Sequence, residues 1–88
     1  MITHDVLIKN GFKFRQYEGS KPYEGEYIKQ SSQYRIGFGY ADSFGWDINI
    51  NKWANSIKFS MLNGTKLTID KINSILKVCE IDFKIYPF

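Results

Sequence analysis

Tyr34 to Ile50, YRIGFGYADSFGWDINI, holds two runs of strict apolar alternation on either side of a turn-rich interval. In the first, Tyr34, Ile36, Phe38 and Tyr40 point one way and Arg35, Gly37 and Gly39 the other; in the second, Trp46, Ile48 and Ile50 oppose Asp47 and Asn49. A period of two is the mark of a half-buried strand. The interval Ala41 to Gly45 suits a hairpin loop that ends in a flexible glycine. Pairing the runs across that loop sets Tyr40 beside Trp46, Phe38 beside Ile48 and Ile36 beside Ile50, so every apolar side chain of both runs shares one face. A slip of one residue would turn one strand's set to the wrong side. Each such side chain is worth roughly 1.5–3 kcal/mol when buried, so this hairpin is the expected anchor of a small core.

The rest of the chain reads as elements that close on that anchor. Thr3 is a helix N-cap with Asp5 in the first turn, Ile2 and Leu7 hold hydrophobic-staple positions, and Gly11 after Asn10 is the stop signal. Phe12 to Tyr17 is a first strand, with Phe12 and Phe14 opposed to Lys13 and Arg15. Glu18 to Gly25 is a loop carrying Tyr23, and Glu26 to Gln30 is a second strand. Beyond Ile50 comes the polar loop NKWANS with Trp53, then a strand in which Ile57, Phe59 and Met61 alternate with Lys58 and Ser60. Asn63-Gly64 is the strongest local turn signal. Thr68 caps a second helix, where Leu67 and Ile72 repeat the staple and Ile69, Ile72, Ile75, Leu76 and Cys79 form one apolar stripe. Ile81, Phe83 and Ile85 alternate in a last strand that Pro87 closes. The expected fold is a single α+β domain over 1–88: a twisted, mostly antiparallel sheet of five or six strands with two short helices packed on one face, in the order α-β-β-β-β-β-α-β.

Eighty-eight residues can build one core without disulfide or metal staples. The chain has no apolar run long enough for a membrane span and no signal-peptide order at its start, and its one cysteine, Cys79, fits a reducing cytoplasm. Cytoplasmic location and no membrane partner are the expectations. A net charge of +3, with both signs interspersed, argues against an acidic nucleic-acid mimic and does not demand nonspecific nucleic-acid binding.

Sites of chemistry are sparse. The only histidine, His4, falls on a helix start with no metal-ligand companion, so a solvated residue is the expected reading. Cys79 lies on the apolar stripe and reads as a small core residue rather than a reactive thiol. Asp42 and Asp47 near the hairpin tip lack a basic or metal-binding partner at recognisable spacing. GFGY at Gly37 to Tyr40 resembles the centre of the RNP1 motif, in which alternate aromatics stack on bases. Its flanks differ, with Ile36 for a basic residue and Ser43 for the last aromatic, and Phe38 and Tyr40 share the core face. No phosphate loop, nucleophile elbow or zinc spacing is present, so neither an enzyme nor a cofactor is expected.

Candidate contact residues remain. Gly37 and Gly39 leave a bare groove between Arg35, Asp47, Asn49 and Lys58, where the sheet twists, an aromatic such as Tyr17 lies across, or a partner's backbone or a phosphate approaches. Tyr23 either folds back over the sheet or meets a partner. Trp53 either plugs the sheet edge, as the burial of most tryptophans favours, or stands out as an anchor.

The opening T-x-x-x-L-x-x-N-G-F (Thr3, Leu7, Asn10, Gly11, Phe12) and the closing C-x-I-D-x-x-I (Cys79, Ile81, Asp82, Ile85) resemble small accessory proteins of bacterial phages and mobile elements. The likeness covers both ends of the chain and not its middle. It implies a setting in which a host protein is the foremost partner and an inhibitor of host defence, of the anti-CRISPR kind, is the concrete function. The alternative is a small RNA- or DNA-binding module using Arg35, Lys58, Lys13 and exposed aromatics. A monomer or small homo-oligomer is expected. The partner-contact candidates are Trp53, Tyr23, Arg35, Lys58, Asp47 and Asn49.

Overall fold

A computed structural model describes residues 2–64 and 67–87. The order is α1 (His4–Lys9), β1 (Lys13–Gln16), β2 (Gly25–Gln30), β3 (Tyr34–Ala41), β4 (Gly45–Lys52), β5 (Ile57–Gly64) and α2 (Ile69–Val78). The five strands form one antiparallel sheet in chain order, each pairing with the next. This is the expected α+β class, with sequential strands joined by short connections.

The hairpin has the register that its alternation dictates: Tyr40 pairs with Trp46, Phe38 with Ile48 and Ile36 with Ile50. Ala41 and Gly45 also pair, so the loop proper is Asp42–Phe44 rather than five residues. The Phe44 N–H donates to the Ala41 carbonyl at 3.2 Å, and Gly45 follows at φ 73°. A three-residue hairpin closes through a left-handed residue of this kind, which glycine adopts without a Cβ clash. Strand β5 runs through Asn63-Gly64, with Gly64 opposite Gly45 and Trp46 across a bulge. These two residues therefore end a strand, and the chain beyond them at 65–66 lies outside the described residues.

Ile36, Phe38, Ile48 and Ile50 are fully buried, in one cluster with Leu7 of α1 and Ile72 and Leu76 of α2. Both helices carry the expected caps. Thr3 Oγ1 accepts from Val6 N–H, and Thr68 Oγ1 accepts from Lys71 N–H, each at 3.2 Å. Both staple pairs are buried as well: Ile2 with Leu7, and Leu67 with Ile72. Cys79 caps the end of α2 and is buried, and desolvation raises its thiol pKa, so the nucleophilic thiolate is scarce.

The expected sixth strand is absent: residues 81–87 pair with no strand. The segment keeps the burial pattern of a strand, with Ile81 and Ile85 buried and Asp82 and Lys84 exposed. The Ile81 N–H donates to the Leu76 carbonyl at 3.0 Å, and further along two asparagine side chains take the place of a neighbouring strand. The Asn73 carboxamide donates to the Ile85 carbonyl at 2.9 Å and accepts from the Ile85 N–H at 2.8 Å; Asn10 grips Tyr86 in the same way, with both distances 2.9 Å. A carboxamide carries the same donor and acceptor as a peptide group, so it can replace one rung of a ladder. Phe83 closes over Phe12, with centroids 6.0 Å apart, and Lys29 Nζ lies 4.9 Å from its ring. Asn73→Ala is expected to destabilise the fold by about 1–2 kcal/mol, because both Ile85 groups lose their partner. Asn73→Asp should fall between, keeping the acceptor and losing the donor. Urea unfolding of the three proteins measures this, and equal stability of all three would show that the clamp contributes nothing.

Candidate binding surface

The odd-even rule that buries one sheet face exposes the other, and the strand registers arrange that face in rows. One row is Gln30, Arg35, Asn51, Lys58; the next is Lys13, Ile28, Gly37, Asn49, Ser60; a third begins Arg15, Glu26, Gly39, Asp47. The positive side chains Arg35 and Lys58 thus flank Asn51, while Glu26 and Asp47 flank Gly39.

The groove over the two glycines is occupied, not bare. A methyl group on Gly39 would lie 2.7 Å from both Asp47 Oδ1 and Tyr17 Oη, and one on Gly37 would lie 3.0 Å from Asn49 Oδ1. Asp47 accepts from the Gly39 N–H at 2.9 Å. Tyr17 lies across the strand as one reading of the sequence allowed, and its phenol pKa is raised by burial first and by Asp47 second. Arg35 donates to Asn49 Oδ1 at 3.2 Å and to Glu26 Oε1 at 3.3 Å, and Arg15 reaches the same Glu26 oxygen at 3.3 Å. The lack of a Cβ at Gly37 and Gly39 makes room for these polar side chains of the protein itself.

Trp53 does not plug the sheet edge. It is 48% exposed in the turn between β4 and β5, where its backbone N–H donates to the Gln33 carbonyl at 3.1 Å and its carbonyl accepts from the Ser56 N–H at 3.2 Å. The turn places the indole beyond the end of the apolar face, so the core closes without it. Ser56 takes a left-handed φ of 53°. Asn55 donates to the Glu80 carboxylate at 2.7 Å, and Lys52 Nζ donates to the Glu80 carbonyl, so two side chains tie this end of the sheet to the end of α2.

Tyr23, also 48% exposed, stands at the opposite end, where its ring lies 6.3 Å from that of Tyr40 in β3, so it leans on the end of the sheet and keeps half of its surface open. Its hydroxyl donates to Asp42 Oδ2 at 2.6 Å, Lys21 Nζ donates to the same oxygen at 2.6 Å, and the Tyr40 hydroxyl donates to Asp42 Oδ1 at 3.1 Å. Glu24 accepts from the Asp42 N–H at 2.6 Å. Asp42 thereby latches the β1–β2 loop to the β3–β4 loop, and its partners differ from those of Asp47. The Lys21 and Tyr23 hydrogen bonds lower its carboxyl pKa from 3.8 to about 2. A depressed carboxyl pKa means a contact present above the ordinary value and lost as pH falls through about 2. The Tyr23 and Tyr40 ring signals in an NMR titration should therefore shift together below pH 4, in that window; a transition near the ordinary carboxylate value would show that the latch is not formed.

The six contact candidates do not converge. Trp53, Arg35, Lys58 and Asn49 lie toward one end and Tyr23 at the other, with Asp47 between them on the Gly39 row, in contact with Gly39 and not with Tyr23. The eight residues of β3 hold the two ends roughly 25 Å apart. His4 is exposed at the helix start, as expected, and there also hydrogen-bonds through Nδ1 with the Tyr27 hydroxyl at 2.7 Å and meets the Phe14 ring edge-on at 5.6 Å. Nothing in its local sequence signals that contact, because the partner strand lies 23 residues away. Among the described residues, no group of three or more His, Cys, Asp or Glu could hold a metal ion. Among the described residues, no helix is long and apolar enough to cross a membrane. A concavity of about 800 Å³ forms an open groove between α2 and the terminal segment, lined by Asp70, Asn73, Lys77, Asp82 and Phe83 among others. Comparison with protein-family models, curated proteins and solved structures returned no match.

Proposed function

We propose that this chain is a non-enzymatic binding protein that masks a surface of a host protein. In the phage or mobile-element setting that its resemblance implies, it is an inhibitor of a host defence system, of the anti-CRISPR kind. The observation that carries the reading is Trp53, a large aromatic half exposed on a turn that hydrogen bonds hold in place. Tryptophan is enriched among the residues that dominate interface energies. A turn ordered before binding also loses less entropy on association. Lys52, Asn55, Arg35 and Lys58 supply the polar surround that such an anchor needs.

The second reading is an RNA- or DNA-binding module, supported by the row that sets Arg35 and Lys58 on the same end of the open face as Trp53. Arg35 already shares Glu26 with Arg15, which leaves less free positive charge for phosphate. The test is affinity capture from host lysate, with and without nuclease, followed by a salt series on the captured partner. Capture that survives nuclease and weakens little with salt supports the protein-masking reading. Capture abolished by nuclease, with affinity falling steeply as salt rises, replaces it with the nucleic-acid one.

A further inference from the structure

The two edges of the sheet are built differently. Strand β1 is four residues long, with Lys13, Arg15 and Gln16 exposed along it. Short, charged edges of this kind discourage pairing with other chains. Strand β5 is eight residues long and, over Ile57–Met61, bears only one charge, Lys58. Among the described residues it pairs with β4 alone. Its other edge therefore presents backbone donors and acceptors that an extended strand would satisfy. Beside it lies a hollow of about 250 Å³ between β5 and α2, lined by Phe59, Ile75, Val78 and Cys79 with Lys71 and Ser74. Val78 on its rim is 80% exposed, the most exposed large apolar side chain among the described residues.

We propose that β5 is the two-fold contact of a homodimer, pairing antiparallel with β5 of a second copy so that two five-stranded sheets join edge to edge. The strand is complementary to itself. Ile57, Phe59 and Met61 turn to the apolar face and Lys58 and Ser60 to the polar one, and residues directly opposite in an antiparallel pair share a face. Centred on Phe59, the pairing sets Ile57 against the partner's Met61 and Lys58 against the partner's Ser60. Centred one residue earlier, it would oppose two lysines, which is destabilising. Charge thus disfavours that register. A strand edge alone falls short of the roughly 800 Å² per partner of a stable interface. The hollow and Val78 supply apolar area next to the seam, where the two copies of α2 meet.

Sedimentation of the whole chain over a concentration series should show a monomer–dimer equilibrium. V78E, which alters an exposed side chain and should leave the far-UV circular dichroism and the Tm of the dilute monomer unchanged, should weaken the dimer about tenfold or more by placing a carboxylate in an apolar seam. S60K should weaken it too, by opposing the introduced lysine to Lys58 of the partner subunit. The double variant S60K/K58E should restore it, because opposite charges then face each other. Amides of β5 should exchange slowly at high concentration and fast in V78E. A monomer at every concentration would overturn the proposal. So would a dimer indifferent to both V78E and S60K, or one that V78E weakens and S60K does not, since neither would be held by this strand pair.

Discussion

Phe38→Ala is expected to lower the free energy of unfolding by about 3–5 kcal/mol. Phe38 has no solvent exposure, sits on the central strand, and is flanked across the sheet by the fully buried Ile48 and the nearly buried Tyr27. Its ring also meets Phe12 at 5.4 Å, nearly edge-on. Removing it opens a void at the point where the first helix's exit, three strands and the second helix come together, and such a void collapses poorly. A domain of this size is stable by roughly 5–10 kcal/mol, so the variant would lose about three-tenths of that or more. Urea denaturation measures the loss, and Phe38→Leu is the control, expected to cost less because it leaves a smaller void. A loss below 1 kcal/mol in the alanine variant would mean that the apolar face is not the core.

Trp53→Ala is expected to lower affinity for the captured partner by about 2 kcal/mol or more, roughly thirtyfold in Kd, with the melting temperature nearly unchanged. The asymmetry follows from where the indole stands. The turn keeps its shape through the Trp53 and Ser56 backbone bonds, which alanine also makes, and no core cavity is opened. Tyr23→Ala, at the far end of the sheet, serves as the comparison: one rigid, standard-size interface centred on Trp53 would leave Tyr23 at its margin. Calorimetry or surface plasmon resonance with both variants settles which end binds. Equal loss from both would require a partner that wraps the whole sheet, and loss of stability with binding intact would return Trp53 to the core.

The pattern of residues was a good guide wherever one element answers to its own sequence. The Thr3 and Thr68 caps, the two staples, the Cys79 stripe and the hairpin register were all legible. The left turn that ends α2 was not, because the residue in it is Glu80, at φ 58°, and not a glycine. That position is held from outside, by Lys52 and Asn55 of the β4 end. The contact candidates fared according to the same division. Asp47, Asn49 and Arg35 were recognisable as polar groups beside two glycines, but whether the groove stayed open depended on Tyr17 arriving from the connection after β1.

Alternation by itself determined the face of each strand and the register of the central hairpin, since a period of two leaves one arrangement that buries all the apolar groups. It did the same for Ile81 and Ile85, which are buried on schedule. What it did not determine is which groups satisfy the backbone between them. The apolar pattern records only that a side chain faces away from water; hydrogen-bond partners are chosen by whatever lies alongside in space. For residues 85–86 those neighbours are Asn73 and Asn10, so an extended segment with the sequence of a strand is held by two carboxamides and joins no sheet. The tertiary structure made that choice, and it likewise left Trp53 outside and drew His4 onto Tyr27. For the terminal segment and for His4 the deciding atom belongs to a residue distant in the chain, beyond the reach of any local pattern.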